Sequence, residues 1–405
     1  MQPRPPPFDP RGLDAFVALA GARTWSARIS EIHHLAASGP RAGLATRQRH
    51  AVELAIERLR GPLERPASTP ELHAARLAGE AAALATKLTP HGRTRLRERL
   101  RAGLGGNGTL MSLFHLLRTA VLQRERGFQV GFAGFEQDAS YDLLLVSGMV
   151  EAEIVCDIVS AEEGRLVHRG AWVRLADRMD ADLRAWLARH PGNYLLKMTL
   201  PLGLQGGLHE PAVDDGELAY LHVRIRRLLE TRGRREHDEG LVLRLDPLVL
   251  HGGQSGQPAL WSLLRQQFGP EAHLSVTTAC DGVFVMAARA GRENEIATAV
   301  RRRLAVIAPA RLTGTRPGIL ATFVEDTDRG EWRGLRERLE LEGEARQFLA
   351  HKEARPVIAV TCASRFELFG MSAPYAAEDG ELRFRNPAHP AARAAALAPA
   401  VLSSV

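Results

Sequence analysis

Residues 151–169 read EAEIVCDIVSAEEGRLVHR. Side chains of an extended chain point to opposite faces in turn. Val150, Ala152, Ile154 and Cys156 therefore share one face, while Glu151, Glu153 and Asp157 share the other with Val155. The first face is apolar and suited to packing on a helix. The second sets three carboxylates in a row. Glu162-Glu163-Gly164-Arg165 then reads as a turn that opens a helix.

The neighbouring sequence supplies the context for this strand. TLMSLFHLLRTAVLQRER (109–126) has the spacing of an amphipathic helix, and FQVGFAGF (128–135) and YDLLLV (141–146) read as strands. MVEAEIVC (149–156) is the third strand, HRGAWVRLADRMDADLRAWLARH a helix and NYLLKMTLPL (193–202) a fourth strand. The short gaps between the first three strands predict an antiparallel meander. The following helix predicts a crossover to a parallel partner. A hairpin would bring Asp142 beside the acid row. Hard divalent cations such as Mg²⁺ take one or two carboxylates plus water and substrate phosphate, and such a site would orient a water for phosphodiester attack.

The order α-β-β-β-α-β, with an acid on the second strand and acids on the third, resembles the restriction-endonuclease-like fold of the PD-(D/E)xK superfamily. The resemblance covers about residues 109–202. It places Tyr141-Asp142 where that family has Pro-Asp, and VCDIVSAEEGRLVHR where a catalytic strand is followed by Ser, Gly-Arg and His-Arg. It implies a Mg²⁺-dependent nuclease with Asp142, Glu153 and Asp157 as metal ligands and Asp142, Glu153 and Glu151 as the catalytic acids. The chain also departs from the pattern. In one register the motif acid falls on Val155 and the motif lysine on Asp157; a second register uses Glu151 or Glu153. The residues two before Lys87, Lys197 and Lys352, the only lysines, are Ala85, Leu195 and Ala350, so no (D/E)xK triplet exists. Losing one such electrostatic group typically costs about 10²–10³ in rate. Lys197, on the fourth strand, is the candidate replacement. Arg165, His168 and Arg169, at a helix start, are the candidate nucleic-acid contacts, since helix N-termini attract phosphate.

The rest of the chain frames this core. At 405 residues it has room for two or three domains. Residues 1–10 read as a disordered, Pro-rich tail, 11–104 as a helical N-terminal region, 105–215 as the restriction-endonuclease-like domain and 216–405 as a C-terminal α/β region. The expected class is thus α/β. Thr69-Pro70-Glu71 marks a helix start, and GLGGNG (103–108) a joint rather than a phosphate loop, lacking the following Lys and Ser/Thr.

Charge and composition give coarser bounds. The net charge is +6, carried almost wholly by arginine, a bias expected of a GC-rich bacterial genome. The sign suits a nucleic-acid partner, DNA ahead of RNA. RIRRLLETRGRR (224–235) could hold a phosphate backbone by charge alone. No run of about 18 apolar residues predicts a membrane span. Three scattered cysteines and the absence of an apolar leader predict a reducing cytoplasm. GxSxG, Walker and dinucleotide-binding patterns do not occur. His33-His34 point about 100° apart on a helix and cannot share a metal. Asp326 and Asp328 read as helix caps, Cys362 has no histidine beside it, and GELRFRNPAHP (380–390) reads as a strand and turn with Arg383 and Arg385 on one face. Two functions follow: a divergent nuclease-like protein engaging nucleic acid, or a catalytically inactive nuclease-fold protein acting as a binding or assembly scaffold.

Overall fold

A computed structural model describes residues 10–62, 64–209, 216–248, 257–269 and 271–403. The expected tail, residues 1–10, lies outside them except for Pro10, which opens the first helix. The class is mixed α/β. Eleven strands fall in two mixed sheets among the described residues: β1 (Gln129–Gly131), β2 (Leu143–Ser147), β3 (Val150–Ser160), β4 (Asn193–Leu200), β5 (Arg235–His237), β6 (Val242–Pro247), β7 (His273–Ala279), β8 (Gly282–Ala290), β9 (Gly318–Glu325), β10 (Val357–Ser364) and β11 (Leu382–Arg385). The chain divides into two compact units, each discontinuous. The first comprises Met1–Glu31, Arg49–Glu163 and Ile296–Val405, the second Ile32–Gln48 and Gly164–Glu295.

In the first unit the sheet runs β1-β2-β3-β9-β10-β11. The expected meander is there: β1, β2 and β3 pair antiparallel, with Leu144 opposite Glu153 and Val146 opposite Glu151. The strand carrying the acid row lies inside the sheet, between β2 and β9. Its parallel partner, however, is β9, with Glu153 opposite Gly318 and Ser160 opposite Glu325. The helix leading into β9 is Ile296–Arg311. β10 adds in parallel beyond β9, and β11 closes the edge antiparallel.

The expected fourth strand does not join this sheet. NYLLKMTL (β4) pairs parallel with β8 and antiparallel with β6 in the sheet of the second unit, whose order is β5-β6-β4-β8-β7. The helix expected to cross over, now Arg169–Arg189, packs on that second sheet. Reading in chain order favours the nearest strand as the partner. Here residues 164–295 form a unit of their own before the chain returns to pair with β3. The expected helix start at Gly164 is also displaced: Ala161–Gly164 is one 3₁₀ turn, Val167 bridges Leu204, and the helix begins at Arg169.

Two apolar faces explain the first sheet's layers. Val155, Val159, Leu320, Val324 and Val360 face Val300, Leu304 and Ile307 of the helix Ile296–Arg311, in a core that also holds Trp332 and Phe348. On the other face the helix Met111–Glu125 lies against β3, and buried His115 joins its Nε2 to the Ala321 carbonyl of β9 at 3.0 Å. In the second unit the helices Arg169–Arg189 and Gly216–Glu230 share a core with Leu196, Met198, Leu243 and Phe284. Leu264 and Phe268, from the helix Gln257–Phe268, pack on the opposite face against Leu195, Val285 and Ala287.

Some local signals held to within a residue and others did not: FQVGFAGF is strand only over Gln129–Gly131, with Ala133–Glu136 a helical turn, and Asp326, read as a cap, instead accepts from Ser160 and Arg49 at 2.8 Å each. The helix Thr69–Lys87 is capped by Ser68, one residue before the expected cap, with Glu71 closing a capping box. Asp328 caps the helix Arg329–Glu337 in the same way. GLGGNG is tied down: Arg28 donates to the Gly106 and Gly108 carbonyls at 2.9 and 2.7 Å. A loop that offers carbonyls to a guanidinium does not offer amides to a phosphate.

Candidate functional site

β3 sets Glu151, Glu153 and Asp157 on one face, and Asp142, the residue before β2, lies beside them with its carboxylate 2.8 Å from the Cys156 backbone N–H. That face is covered rather than open. The helix Ile296–Arg311 runs across it opposite to the direction of β3, and the loop beyond continues the match. Arg303 grips Asp157 with Nε at 2.5 Å and Nη2 at 3.0 Å. Eight residues on, Arg311 reaches Asp142 at 2.9 Å. Thr313 donates its backbone N–H to Glu153 at 2.9 Å and its hydroxyl to the other carboxylate oxygen. Arg316 pairs with Glu151 at 2.6 Å and stands 3.7 Å from Glu153.

The acids are met in the order 157, 142, 153 and 151 as the crossover segment advances through 303, 311, 313 and 316.

Asp142 is the most fully engaged of the four. It is 4% exposed and accepts from Arg99 at 2.8 Å, Arg311 at 2.9 Å and the Cys156 backbone N–H at 2.8 Å. Glu153 is wholly buried. Charges so placed are tolerated only when paired and hydrogen-bonded, and here both are. The pairing with Asp157 holds the Arg303 guanidinium above its ordinary pKa, and the pairing with Glu151 does the same for Arg316.

This donor set does not fit a hard divalent cation. Mg²⁺ binds oxygen at about 2.1 Å, and each carboxylate already has its charge matched by a guanidinium or its lone pairs taken by Thr313. Among the described residues no group of three or more His, Cys, Asp or Glu side chains is placed to hold a metal ion. Val155, the acid position in one register, is buried in the apolar core.

The remaining candidates lie in the second unit. Lys197, on β4, pairs with Asp246 of β6 at 3.3 Å. Arg165 is 5% exposed, a placement suited to structure more than to contact from solvent. His168 precedes the helix and accepts the Gly206 backbone N–H at Nδ1, 3.2 Å away; Arg169 is the first helical residue. Cys362 is buried, and burial pushes its thiol up to about 12, far from the thiolate that a nucleophile needs. Arg383 is buried and paired with Asp379, whereas Arg385 is exposed.

The residues missed from sequence are the basic half of the array: Arg99, Arg303, Arg311 and Arg316. A signal for them existed. Acids at period two on a central, covered strand require cations from the covering helix, and RRRLAVIAPARLTGTR (301–316) is the arginine-bearing segment that precedes β9. No family model, curated protein or solved structure matches the chain. No helix among the described residues is long and apolar enough to cross a membrane.

Proposed function

We propose that this protein is a restriction-endonuclease-like fold that has given up phosphodiester chemistry and serves as a binding or assembly scaffold. Several features support the fold reading. A helix, a three-strand antiparallel meander, a crossover helix and a parallel fourth strand follow one another as Met111–Glu125, β1-β2-β3, Ile296–Arg311 and β9. The longer segment of the second unit, Gly164–Glu295, is spliced in between β3 and the crossover helix. The loss of chemistry rests on one observation: the strand acids in nuclease-like positions are clasped by Arg303, Arg311, Thr313 and Arg316. In this reading Asp142, Glu153 and Asp157 fasten the crossover helix to the sheet and hold no Mg²⁺. The active-nuclease reading makes opposite demands of the same residues.

Full-length protein is incubated with supercoiled plasmid and with structured RNA, in 10 mM-range Mg²⁺ or Mn²⁺ and in EDTA. The scaffold reading expects equal, background cleavage in all arms and no calorimetric Mg²⁺ binding. Metal-dependent cleavage that disappears in Glu153→Gln while the fold is kept would overturn it.

A further inference from the structure

The second sheet carries a cationic row that the described carboxylates of its own unit do not fully neutralise. Arg235 of β5 stands directly opposite Arg244 of β6, and Arg244 directly opposite Lys197 of β4. Three cations thus occupy consecutive cross-strand positions on one face. Like charges in that arrangement are destabilising. Among the described residues a single carboxylate lies with them: Asp246 takes Arg244 at 2.8 Å and Lys197 at 3.3 Å, leaving an excess of positive charge.

The turn leading into β5 adds to it. Arg232, Arg234 and Arg235 are exposed and form no ion pair with a described carboxylate. Other arginines of this unit are matched: Arg184 with Asp180, Arg224 with Glu236 and Asp238, Arg226 with Glu230. Arg232 also has φ 51°, a left-handed conformation that costs a non-glycine residue about 1–2 kcal/mol. An arginine thus stands just past the end of a helix where glycine is the default. β5 is the edge strand, so the cluster is open on its outer side.

We propose that the β5–β6 edge of this sheet, through Arg232, Arg234, Arg235, Arg244 and Lys197, binds the phosphodiester backbone of a nucleic acid without reading its sequence. The row spans about 10 Å, two strand spacings. Duplex DNA presents about six charges over that length, so a backbone laid across the strands, along the row, offers more phosphates than the row has cations. Arginine forks suit phosphate oxygens. This names a partner class for the scaffold proposed above and rests on that reading, but it is tested separately, because binding is measured in EDTA and cleavage in metal.

The experiment measures fluorescence anisotropy of a labelled 20-base-pair random-sequence DNA, the matching RNA duplex and a single strand, from 50 to 200 mM salt. Three proteins are compared: the natural chain, R232A/R234A/R235A, and the charge-matched control R333A/R338A/R346A from the first unit. The targeted arginines have no described ion-pair partner, and the control arginines form surface pairs with Glu337, Glu340 and Glu342 worth about 0–1 kcal/mol each, so thermal melts of all three should stay close. The targeted variant should bind at least about tenfold more weakly, and its log–log salt slope should fall by about 3, near one per lost phosphate contact. The control should bind as the natural chain does. Comparable affinity for DNA and RNA supports the shared backbone as ligand; a preference for one assigns the source. The proposal is overturned if the natural chain fails to bind at 50 mM salt, or if both variants weaken binding alike. It is also overturned if phosphatidylserine vesicles or polyglutamate bind this edge more tightly than the nucleic acids.

Discussion

Asp142 and Glu151 show how burial decides the worth of one charge pair. Both are acids facing the same crossover segment, and each meets an arginine. Asp142 is 4% exposed and served by two guanidinium groups, while the Glu151 side chain is 42% exposed and served by one. Removing one partner of a buried pair strands the other charge and costs about 3–5 kcal/mol. An exposed pair contributes about 0–1 kcal/mol. Asp142→Ala should therefore lower unfolding stability by about 3 kcal/mol in urea titration, and Glu151→Ala by less than about 1. Equal effects would contradict a structural role for the buried acid. The acid row itself was legible from sequence as a period-two pattern. Its partners lie 146 and 169 residues away in the chain, at Arg303 and Arg311, and no local pattern ties residues so distant.

At the scale of the element, a similar capping device recurs in two settings. Asp328 caps the helix Arg329–Glu337, accepting the Glu331 backbone N–H at 2.9 Å. Loss of such a cap costs about 1 kcal/mol. Ser364 and Glu367 close another capping box at the end of β10, but Glu367 is 5% exposed and receives four donors. Trp332 Nε1 and the Ala377 N–H donate to one oxygen at 2.9 Å each; the Ser364 N–H and hydroxyl donate to the other at 2.8 and 2.6 Å. Glu367→Gln would point an amide NH₂ at donors in a dry site, leaving buried groups unmatched at about 1–3 kcal/mol each. Chemical denaturation should show Glu367→Gln losing about 3 kcal/mol and Asp328→Ala about 1. Nothing in the sequence around Cys362 marks this glutamate; only packing makes Glu367 a hub.

Across the whole molecule two buried groups pull stability in opposite directions with pH. Burial pushes the His115 imidazole down to about 4 from its ordinary 6.5. Between those values the unfolded chain binds a proton that the folded chain refuses, so His115 makes stability fall as pH drops from 6.5 to 4. Burial first, and then the neighbouring Asp326, push the Glu325 carboxyl up to about 7 from 4.5. The folded chain then holds the extra proton, so Glu325 makes stability fall as pH rises from 4.5 to 7. Each shift corresponds to about 3 kcal/mol at full extent, at about 1.4 kcal/mol per unit. The two oppose each other through the window they share, about pH 4.5 to 6.5. Glu325→Gln, which keeps an acceptor for the Thr109 hydroxyl that donates at 2.9 Å, should remove the falling limb. Its stability relative to the natural chain should rise steadily from pH 4.5 to 7 in equilibrium unfolding; a pH-independent difference would refute the assignment.

The sequence by itself determined the α/β class, the meander β1-β2-β3, the helix starts near Thr69 and Asp328 and the absence of a (D/E)xK triplet. These depend on periodicity, capping residues and composition, all of which act over a few residues. The tertiary structure decided what lay beyond that range. It paired β3 with β9, 158 residues later by Ser160 and Gly318, and sent β4 to a second sheet. It also turned EAEIVCDIV from a row of free carboxylates into one half of a charge-matched clasp. The physical reason is the same in each case. A strand's alternation fixes which side chains share a face, but the energy of burying that face depends on the segment that covers it, and here that segment follows an entire inserted unit.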